Sequence, residues 1–257
     1  MEATLQQPRA IWEGVYKDLS EVPTAGPGFC GAKWLTACSE KTSQLLKLAS
    51  ENCSVPRTIA DKSCLLPFLA AMLAEDAARL RILDFGGGLG STYVSVASSL
   101  PTKNLDYVVV EGSEVCSAAK KIFAGDSRVR FVTAIPESLH GVDIVHLGSS
   151  LHYVAKWKEV LRCLAGLNSR YWLFTDLVAG DIPTYASAQN YYDSKIPVWF
   201  FNFREVTSEV ESLGFKLVFK SIYLGTYLGK EGPIPQNNFP EHLRLDHSCN
   251  VLFSRCG

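Results

Sequence analysis

The chain has 257 residues with 25 Lys+Arg, 26 Asp+Glu and a net charge of −1, and 47% of its residues are hydrophobic. This composition is typical of a globular protein with one sizeable core and a smaller appendage, and it argues against a disordered chain. Because the charge is balanced and forms no long run of one sign, neither nucleic acid nor a membrane surface is expected as a main partner.

Targeting and metal signals are weak. Residues Met1 to Arg9 are polar and predict no signal peptide, and the longest apolar run, Leu65 to Ala74, is too short to cross a membrane. The eight cysteines form no CxxC pair and no compact Cys/His spacing. We therefore expect reduced thiols, no metal site and a cytoplasmic location.

Residues 1–79 show helical periodicity and turn residues but no strand alternation, which predicts an N-terminal helical cap. Two helices are expected there, Lys33 to Ala49 and Ser63 to Ala78. Asp61 or Ser63 is the expected N-cap of the second helix, because each precedes an apolar run.

From residue 80 onward, short apolar runs alternate with helical segments. The predicted strands are Arg81 to Phe85, Leu105 to Glu111, Val129 to Thr133, Val142 to Leu147, Tyr171 to Thr175, Phe215 to Leu224 and Asn250 to Arg255. The predicted helices are Ser91 to Leu100, Ser113 to Phe123, Trp157 to Gly166 and Thr207 to Leu213. This rhythm indicates βαβ units, hence an α/β, Rossmann-like domain over residues 80–257 with a mostly parallel sheet. The last two strands have no helix between them and should pair antiparallel.

A glycine-rich turn follows the first predicted strand. Leu80 to Gly90 reads as a buried strand, then Asp84, then glycines at Gly86, Gly87, Gly88 and Gly90, with Ser91 opening a helix. Glycines at such a turn let the backbone approach a ligand above a helix N-terminus. The spacing does not fit the G-x-G-x-x-G/A dinucleotide fingerprint, and no Gly-Lys-Ser/Thr follows as a P-loop requires.

Two carboxylates narrow the choice of ligand for this turn. Asp84 precedes the glycines, where it would repel a pyrophosphate but attract the positive amine of S-adenosylmethionine. Glu111 ends the second strand about 20 residues beyond the glycines, where an acid accepts hydrogen bonds from ribose hydroxyls. Together they predict S-adenosylmethionine as the cofactor.

Leu83-Asp-Phe-Gly-Gly-Gly-Leu-Gly90 with Val110-Glu111 resembles the class I S-adenosylmethionine-dependent methyltransferases. Adding Ile11-Trp-Glu-Gly-Val-Tyr16 and Leu147-Gly-Ser-Ser-Leu-His-Tyr153, the chain resembles, over roughly residues 11–225, a bacterial family of predicted methyltransferases associated with surface-polysaccharide genes. The resemblance implies a seven-stranded sheet whose last strand is antiparallel.

The loop after the fourth strand is the predicted reaction site. In this fold class it lies beside the methyl donor, so Gly148 and Ser149 are expected to bind the cofactor. His152, in the same loop, is the first candidate for a general base, because an imidazole accepts a proton near neutral pH. Asp176, after the fifth strand, is the second candidate. His146 lies within its strand and is expected to be a packed histidine.

A long polar and aromatic segment, Asp181 to Phe203, is expected to form a loop that walls the acceptor site. The predicted substrate-binding residues are Gln189, Tyr191 and Tyr192 from this segment, together with Tyr16 and Tyr153. The cofactor-pocket wall is an alternative role for Tyr153, and core packing is an alternative for Tyr16.

These residues predict metal-independent transfer of a methyl group from S-adenosylmethionine to a hydroxyl of a small-molecule acceptor, such as a sugar or metabolite. N-methylation of a small molecule or peptide, and a non-catalytic protein that only binds the cofactor, remain alternatives. A nucleic-acid methyltransferase is disfavoured, since the sequence contains neither an Asn/Asp-Pro-Pro-Tyr motif nor a Pro-Cys nucleophile. The oligomeric state is left open, with a homodimer as one option.

Overall fold

The computed structural model of the chain describes residues 10–51, 64–75 and 78–256. The polar N-terminus Met1 to Arg9, Cys53 and the predicted N-caps Asp61 and Ser63 lie outside these residues. Within them, no helix is long and apolar enough to cross a membrane.

The described residues form strands and helices in a regular order. The strands are β1 (Trp12–Tyr16), β2 (Leu80–Phe85), β3 (Leu105–Val110), β4 (Val129–Val132), β5 (Ile144–Gly148), β6 (Tyr171–Leu177), β7 (Ala179–Gly180), β8 (Tyr185–Tyr191), β9 (Ser194–Asn202), β10 (Phe215–Tyr223), β11 (Thr226–Tyr227), β12 (Lys230–Glu231) and β13 (Ser248–Arg255). The α-helices are α1 (Ala32–Ser50), α2 (Leu65–Ala74), α3 (Ser91–Ser99), α4 (Ser113–Ile122), α5 (Trp157–Ala165) and α6 (Phe203–Ser212).

The central sheet has seven strands in the order β10-β13-β6-β5-β2-β3-β4. Strands β2 to β6 in this sheet run parallel, and β13 is antiparallel to both of its neighbours. The predicted α/β, Rossmann-like fold with an antiparallel last strand is therefore confirmed. The late helix α6 begins earlier than predicted, because the Asn202 side chain caps it by accepting a hydrogen bond from the Glu205 backbone N–H at 3.1 Å.

The hydrophobic core lies on both faces of this sheet. Strand β3 is buried at all six positions, as expected for a parallel strand covered on two sides. Consecutive residues of β2 point to opposite faces. Leu83 joins the cluster formed with α5 and α6, whereas Ile82 joins the cluster formed with α1, α2, α3 and α4. This packing holds the carboxyl ends of β2, β5 and β6 side by side.

A second sheet, in the order β1-β8-β9-β7, corrects two predictions. Residues 12–16, predicted to lack a strand, form β1 and pair antiparallel with β8, with Trp12 opposite Gln189. The left-handed Gly14 and a register shift between Glu13 and Tyr16 interrupt the alternation that would have marked this strand. The N-terminal segment is therefore not purely helical, while the boundary at residue 79 stays a prediction.

The segment from Asp181 to Phe203, predicted as a loop, is mainly the β8–β9 hairpin. Both faces of β8 are packed, since Ala186 and Ala188 lie in one core cluster and Tyr185 lies in another. A strand buried on both faces shows no polar and apolar alternation, which explains why the pattern resembled a loop.

Candidate functional site

The glycine turn after β2 needs glycine for both conformation and space. Gly86, Gly88 and Gly90 have positive φ angles of 71°, 58° and 80°. A Cβ on Gly87 would lie 2.4 Å from an Asp84 carboxylate oxygen, while a Cβ on Gly88 would meet no atom within 4 Å. The turn therefore closes tightly over Asp84 and leaves open space beside Gly88.

A cavity of about 250 Å³ lies at this turn, at the carboxyl edge of the sheet. It collects most of the predicted cofactor residues, namely Asp84, Gly86, Gly87, Gly88, Gly148 and Ser149. Asp176, predicted as a base, also lines it. Gly90 lies apart from the cavity wall, because a Cβ there would pack 3.0 Å from the rings of Phe123 and Phe131.

Asp84 is fully buried, and both of its carboxylate oxygens are engaged. The Tyr107 hydroxyl donates to Oδ2 at 2.7 Å, and Nδ1 of His146 lies 2.7 Å from Oδ1. Nε2 of His146 lies 2.9 Å from the Thr175 hydroxyl. The predicted cofactor acid is therefore part of a buried hydrogen-bonded chain across β2, β5 and β6, which the sequence did not reveal.

The side chain of Glu111 contacts the backbone of the glycine turn. Its carboxylate accepts hydrogen bonds from the N–H groups of Gly88 at 3.0 Å and Gly112 at 2.9 Å. Burial raises the pKa of Glu111, and the two backbone hydrogen bonds partly oppose that shift. The carboxylate thus lies beside Gly88, at the edge of the cavity.

Ser149 directly follows β5, Asp176 lies one residue before the end of the adjacent strand β6, and the two residues have left-handed φ angles of 49° and 53°. The Ser149 hydroxyl donates to Asp176 Oδ2 at 2.5 Å, and the Ser248 hydroxyl donates to Oδ1 at 2.5 Å. The Asp176 backbone N–H donates to the Asn250 side chain at 3.2 Å. Left-handed non-glycine residues concentrate at functional sites, where surrounding contacts maintain them.

His152 lies in a short 3₁₀ turn after β5, with 3% of its surface exposed, and it is not among the residues that line this cavity. Burial lowers its pKa to about 3, so the imidazole is neutral near pH 7 but is a weak base. Within the described part of the chain, its Nδ1 atom and the Ser150 hydroxyl are buried without hydrogen-bond partners.

Four predicted substrate residues lie together beyond His152. The Tyr153 hydroxyl donates to Gln189 Oε1 at 2.8 Å, and the Trp34 indole N–H donates to the Tyr191 hydroxyl at 3.1 Å. Tyr192 packs edge-on against Tyr191 with ring centroids 4.9 Å apart.

Phe29, from the N-terminal segment, lies among the rings of Trp34, Tyr153 and Tyr191 at centroid distances of 5.4, 4.9 and 5.8 Å. We use the name aromatic wall for five aromatic residues and one amide residue that lie together here: Phe29, Trp34, Tyr153, Tyr191, Tyr192 and Gln189. The structure does not bring Tyr16 to this wall, because Tyr16 packs against the core cluster of α5 and α6.

Some residues that line the cavity were not predicted as site residues, among them Lys41, Thr175 and Tyr223. Lys41, on α1, and Tyr223, at the end of β10, reach the cavity from distant parts of the chain and carried no local sequence signal. Thr175 immediately precedes Asp176 at the end of β6, and that position at the carboxyl edge was a usable signal.

Comparison with solved structures shows a shared fold. A methyltransferase dependent on S-adenosylmethionine from Clostridium acetobutylicum aligns with a TM-score of 0.53 at 10% identity, covering 86% of this chain and all of its own. The YcgJ protein of Bacillus subtilis aligns with a TM-score of 0.51 at 14% identity, covering 74% of this chain and 98% of its own. The CcbJ methyltransferase of Streptomyces caelestis aligns with a TM-score of 0.50 at 12% identity, covering 74% of this chain and 94% of its own. No curated protein matches the sequence.

One family model matches part of the sequence directly. Residues 83–169, from the glycine turn through β5 and α5, match the model described as a methyltransferase domain. Over these residues the chain is similar to methyltransferase domains. The solved structures that share its fold include a methyltransferase that depends on S-adenosylmethionine as its cofactor.

The residues of the cavity fit this cofactor. The open space beside Gly88 accommodates a ligand against the backbone, and the buried Asp84 carboxylate suits a ligand that carries positive charge. The first turn of α3, with Ser91 and Thr92, lies at the cavity together with Lys41. A helix N-terminus and a lysine both favour a carboxylate, which the methionine portion of the cofactor carries.

Proposed function

We propose that this protein transfers a methyl group to a hydroxyl of a small polar acceptor without a metal ion. The observation that carries this proposal is the position of Asp176, whose carboxylate lines the cofactor cavity. Its negative charge also contributes, after burial, to raising the pKa of Tyr153 in the aromatic wall. Asp176 therefore lies at the cofactor cavity and near enough to Tyr153 for its charge to affect the pKa of that residue.

The proposed cofactor residues are those of the glycine turn, namely Asp84, Gly86, Gly87, Gly88 and Gly90, together with Glu111, Gly148 and Ser149. We add Lys41, because it lines the same cavity beside the N-terminus of α3. When bound, S-adenosylmethionine supplies an electrophilic methyl carbon on a positively charged sulfur. The Glu111 carboxylate accepts a hydrogen bond from the Gly88 N–H at 3.0 Å, and its proposed role is to accept hydrogen bonds from the ribose hydroxyls beside that glycine.

Asp176 is the better candidate for the general base. A hydroxyl acceptor must lose its proton as its oxygen attacks, and a carboxylate at the cavity wall can accept that proton. The hydroxyls of Ser149 and Ser248 donate to the two carboxylate oxygens and hold the carboxylate in place at the cavity. His152 has a pKa of about 3 and is absent from the cavity lining, so we assign it a supporting role beneath the aromatic wall.

The acceptor is proposed to bind against the aromatic wall. Tyr153 and Gln189 present a hydrogen-bonded pair, and Tyr191 and Trp34 present a second pair. Such walls orient an acceptor, and much of the rate of an in-line displacement comes from orientation. A sugar acceptor would agree with the predicted surface-polysaccharide association, for which the comparisons offer no support.

A paired acceptor screen tests the proposal. Libraries of small alcohols and their matched amines would be incubated with the enzyme and S-adenosylmethionine, with S-adenosylhomocysteine formation as the readout. Turnover that favours alcohols supports the proposal, whereas turnover confined to amines assigns an N-methyltransferase. A third result would indicate a non-catalytic protein. In that case calorimetry would show cofactor binding, but the protein would methylate none of the compounds made by the enzymes that neighbouring genes encode.

A further inference from the structure

The buried chain Tyr107–Asp84–His146–Thr175 is not explained by a packing role for His146. Asp84 and His146 are register partners on β2 and β5, and Thr175 lies at the end of the next strand, β6. Asp84, His146 and Thr175 are 0%, 2% and 5% exposed, yet all three line the cofactor cavity. The chain therefore forms the floor of the cofactor site.

The hydrogen-bond directions follow from the chemistry of the groups. An ionised carboxylate only accepts, so Tyr107 donates its hydroxyl proton to Asp84 and His146 donates from Nδ1. Nε2 of a neutral His146 then accepts from the Thr175 hydroxyl. Within the described residues, no lysine or arginine forms an ion pair with the Asp84 carboxylate.

Local backbone is shaped around this chain. A Cβ at Gly148 would lie 2.6 Å from Cε1 of His146, and a Cβ at Gly87 would lie 2.4 Å from Asp84 Oδ2. Neither the ring nor the carboxylate could keep its position beside a larger residue. Two cavity-lining glycines are thus required by the His146–Asp84 pair, which indicates that its geometry matters to the site.

We propose that His146 is a positioning residue that holds the Asp84 carboxylate in its orientation, and that this oriented carboxylate makes the site favour S-adenosylmethionine over S-adenosylhomocysteine. The two ligands differ by one methyl group and one positive charge at sulfur. A buried carboxylate attracts the more positive ligand more strongly, because the protein interior screens charge less than water does. The inference rests on the proposed cofactor site, since it requires both ligands to occupy this cavity.

Two substitutions of His146 distinguish the effects of the two hydrogen bonds that its imidazole ring makes. The amide nitrogen of Asn is three bonds from Cα, as Nδ1 is, so His146→Asn retains a donor for Asp84. The amide oxygen of Gln is four bonds from Cα, as Nε2 is, so His146→Gln retains an acceptor for Thr175 and loses the donor for Asp84. If His146 acts through Asp84, these two variants must differ.

Calorimetric affinities for both ligands give the test. We expect His146→Gln to weaken S-adenosylmethionine binding by about 10-fold or more, the usual effect of losing a hydrogen bond to a charged group. S-adenosylhomocysteine binding should weaken by a clearly smaller factor, and His146→Asn should retain most of the wild-type preference. Asp84→Asn, which removes the charge itself, should reproduce the effect of His146→Gln.

Other outcomes overturn the proposal. If the Gln and Asn variants weaken both ligands equally, His146 is a packing residue only. If wild type binds neither ligand, the cofactor site itself is wrong, which is a separate failure. Should the His146 variants fail to fold, Tyr107→Phe removes the other donor to Asp84 without altering β5. An unchanged ligand preference in that variant would then contradict a role for the Asp84 charge.

Discussion

The side chains of Ser149 and Asp176 are hydrogen-bonded to each other while both residues have left-handed backbones, with φ angles of 49° and 53°. Ser149 directly follows β5 and Asp176 is the penultimate residue of β6, and the Ser149 backbone N–H donates to the Thr175 carbonyl at 2.9 Å. Two neighbouring strands thus end in strained conformations that turn a hydroxyl and a carboxylate toward the cofactor cavity.

This relationship predicts how position 149 tolerates substitution. Ser149→Gly should leave the free energy of unfolding within about 1 kcal/mol of wild type, because glycine relieves strain while one hydrogen bond is lost. Ser149→Val should lower it by about 1–3 kcal/mol, since a β-branched residue disfavours this φ. Urea denaturation would measure both values. Equal stabilities for the Gly and Val variants would show that the turn is unstrained.

Asp176→Asn is expected to lower kcat by about 10²- to 10⁴-fold, the range typical of a lost general base. Cofactor affinity should stay near wild type, since Asn has the same shape. The measurement is S-adenosylhomocysteine release under saturating cofactor, with calorimetry alongside. Asp181→Asn is the matched control, because Asp181 is an exposed acid outside the cofactor cavity. Full activity in Asp176→Asn would remove Asp176 from the proposed mechanism.

Lys41→Met should weaken cofactor binding by about 3- to 10-fold, as expected for one partly exposed charge at the cavity. The difference between variant and wild type should shrink as salt is raised, because exposed charges are screened. Titration calorimetry at two ionic strengths would measure it. Lys47→Met, on the same helix α1 but outside the cavity lining, should bind like wild type. Equal losses in both variants would point to a general charge effect.

Glu111→Gln should become more stable relative to wild type as pH rises. Burial raises the pKa of Glu111 above its ordinary value of 4.5 in the folded protein, so the folded state holds this proton more tightly than the unfolded state. Wild type therefore loses this contribution as pH rises from about 4.5 through the folded pKa. Urea unfolding of both proteins at pH 4 and pH 7 tests this sign. A stability difference that is constant with pH would contradict it.

Tyr153→Phe should raise the acceptor KM and leave cofactor affinity unchanged, because the variant loses only the hydroxyl that donates to Gln189 at 2.8 Å. An increase of about 3- to 10-fold is expected for one neutral hydrogen bond. The comparison variant is Tyr192→Phe, in the same aromatic wall but 55% exposed. If kcat falls while KM stays constant, Tyr153 acts on the reaction step instead of on acceptor binding.

Local patterns were sufficient for the central fold and the cofactor side of the site. Each strand of the seven-stranded sheet is a short apolar run, and parallel strands align their carboxyl ends whatever the surrounding helices do. Asp84, the glycines 86–88 and Ser149 therefore meet at one cavity, because they lie at or just beyond the carboxyl ends of strands that the sequence predicts. The glycine turn needs no distant residue to be recognised.

Contacts between distant segments were decided only by the tertiary structure. Strand β1 exists because it pairs with β8, more than 160 residues away, and a short irregular strand has no periodicity of its own. The same holds for the His146–Asp84 bond and for Lys41 at the cavity, since neither residue carries a local signal of its partner. The choice between His152 and Asp176 depended on burial, which is a property of the packed fold and not of residue type.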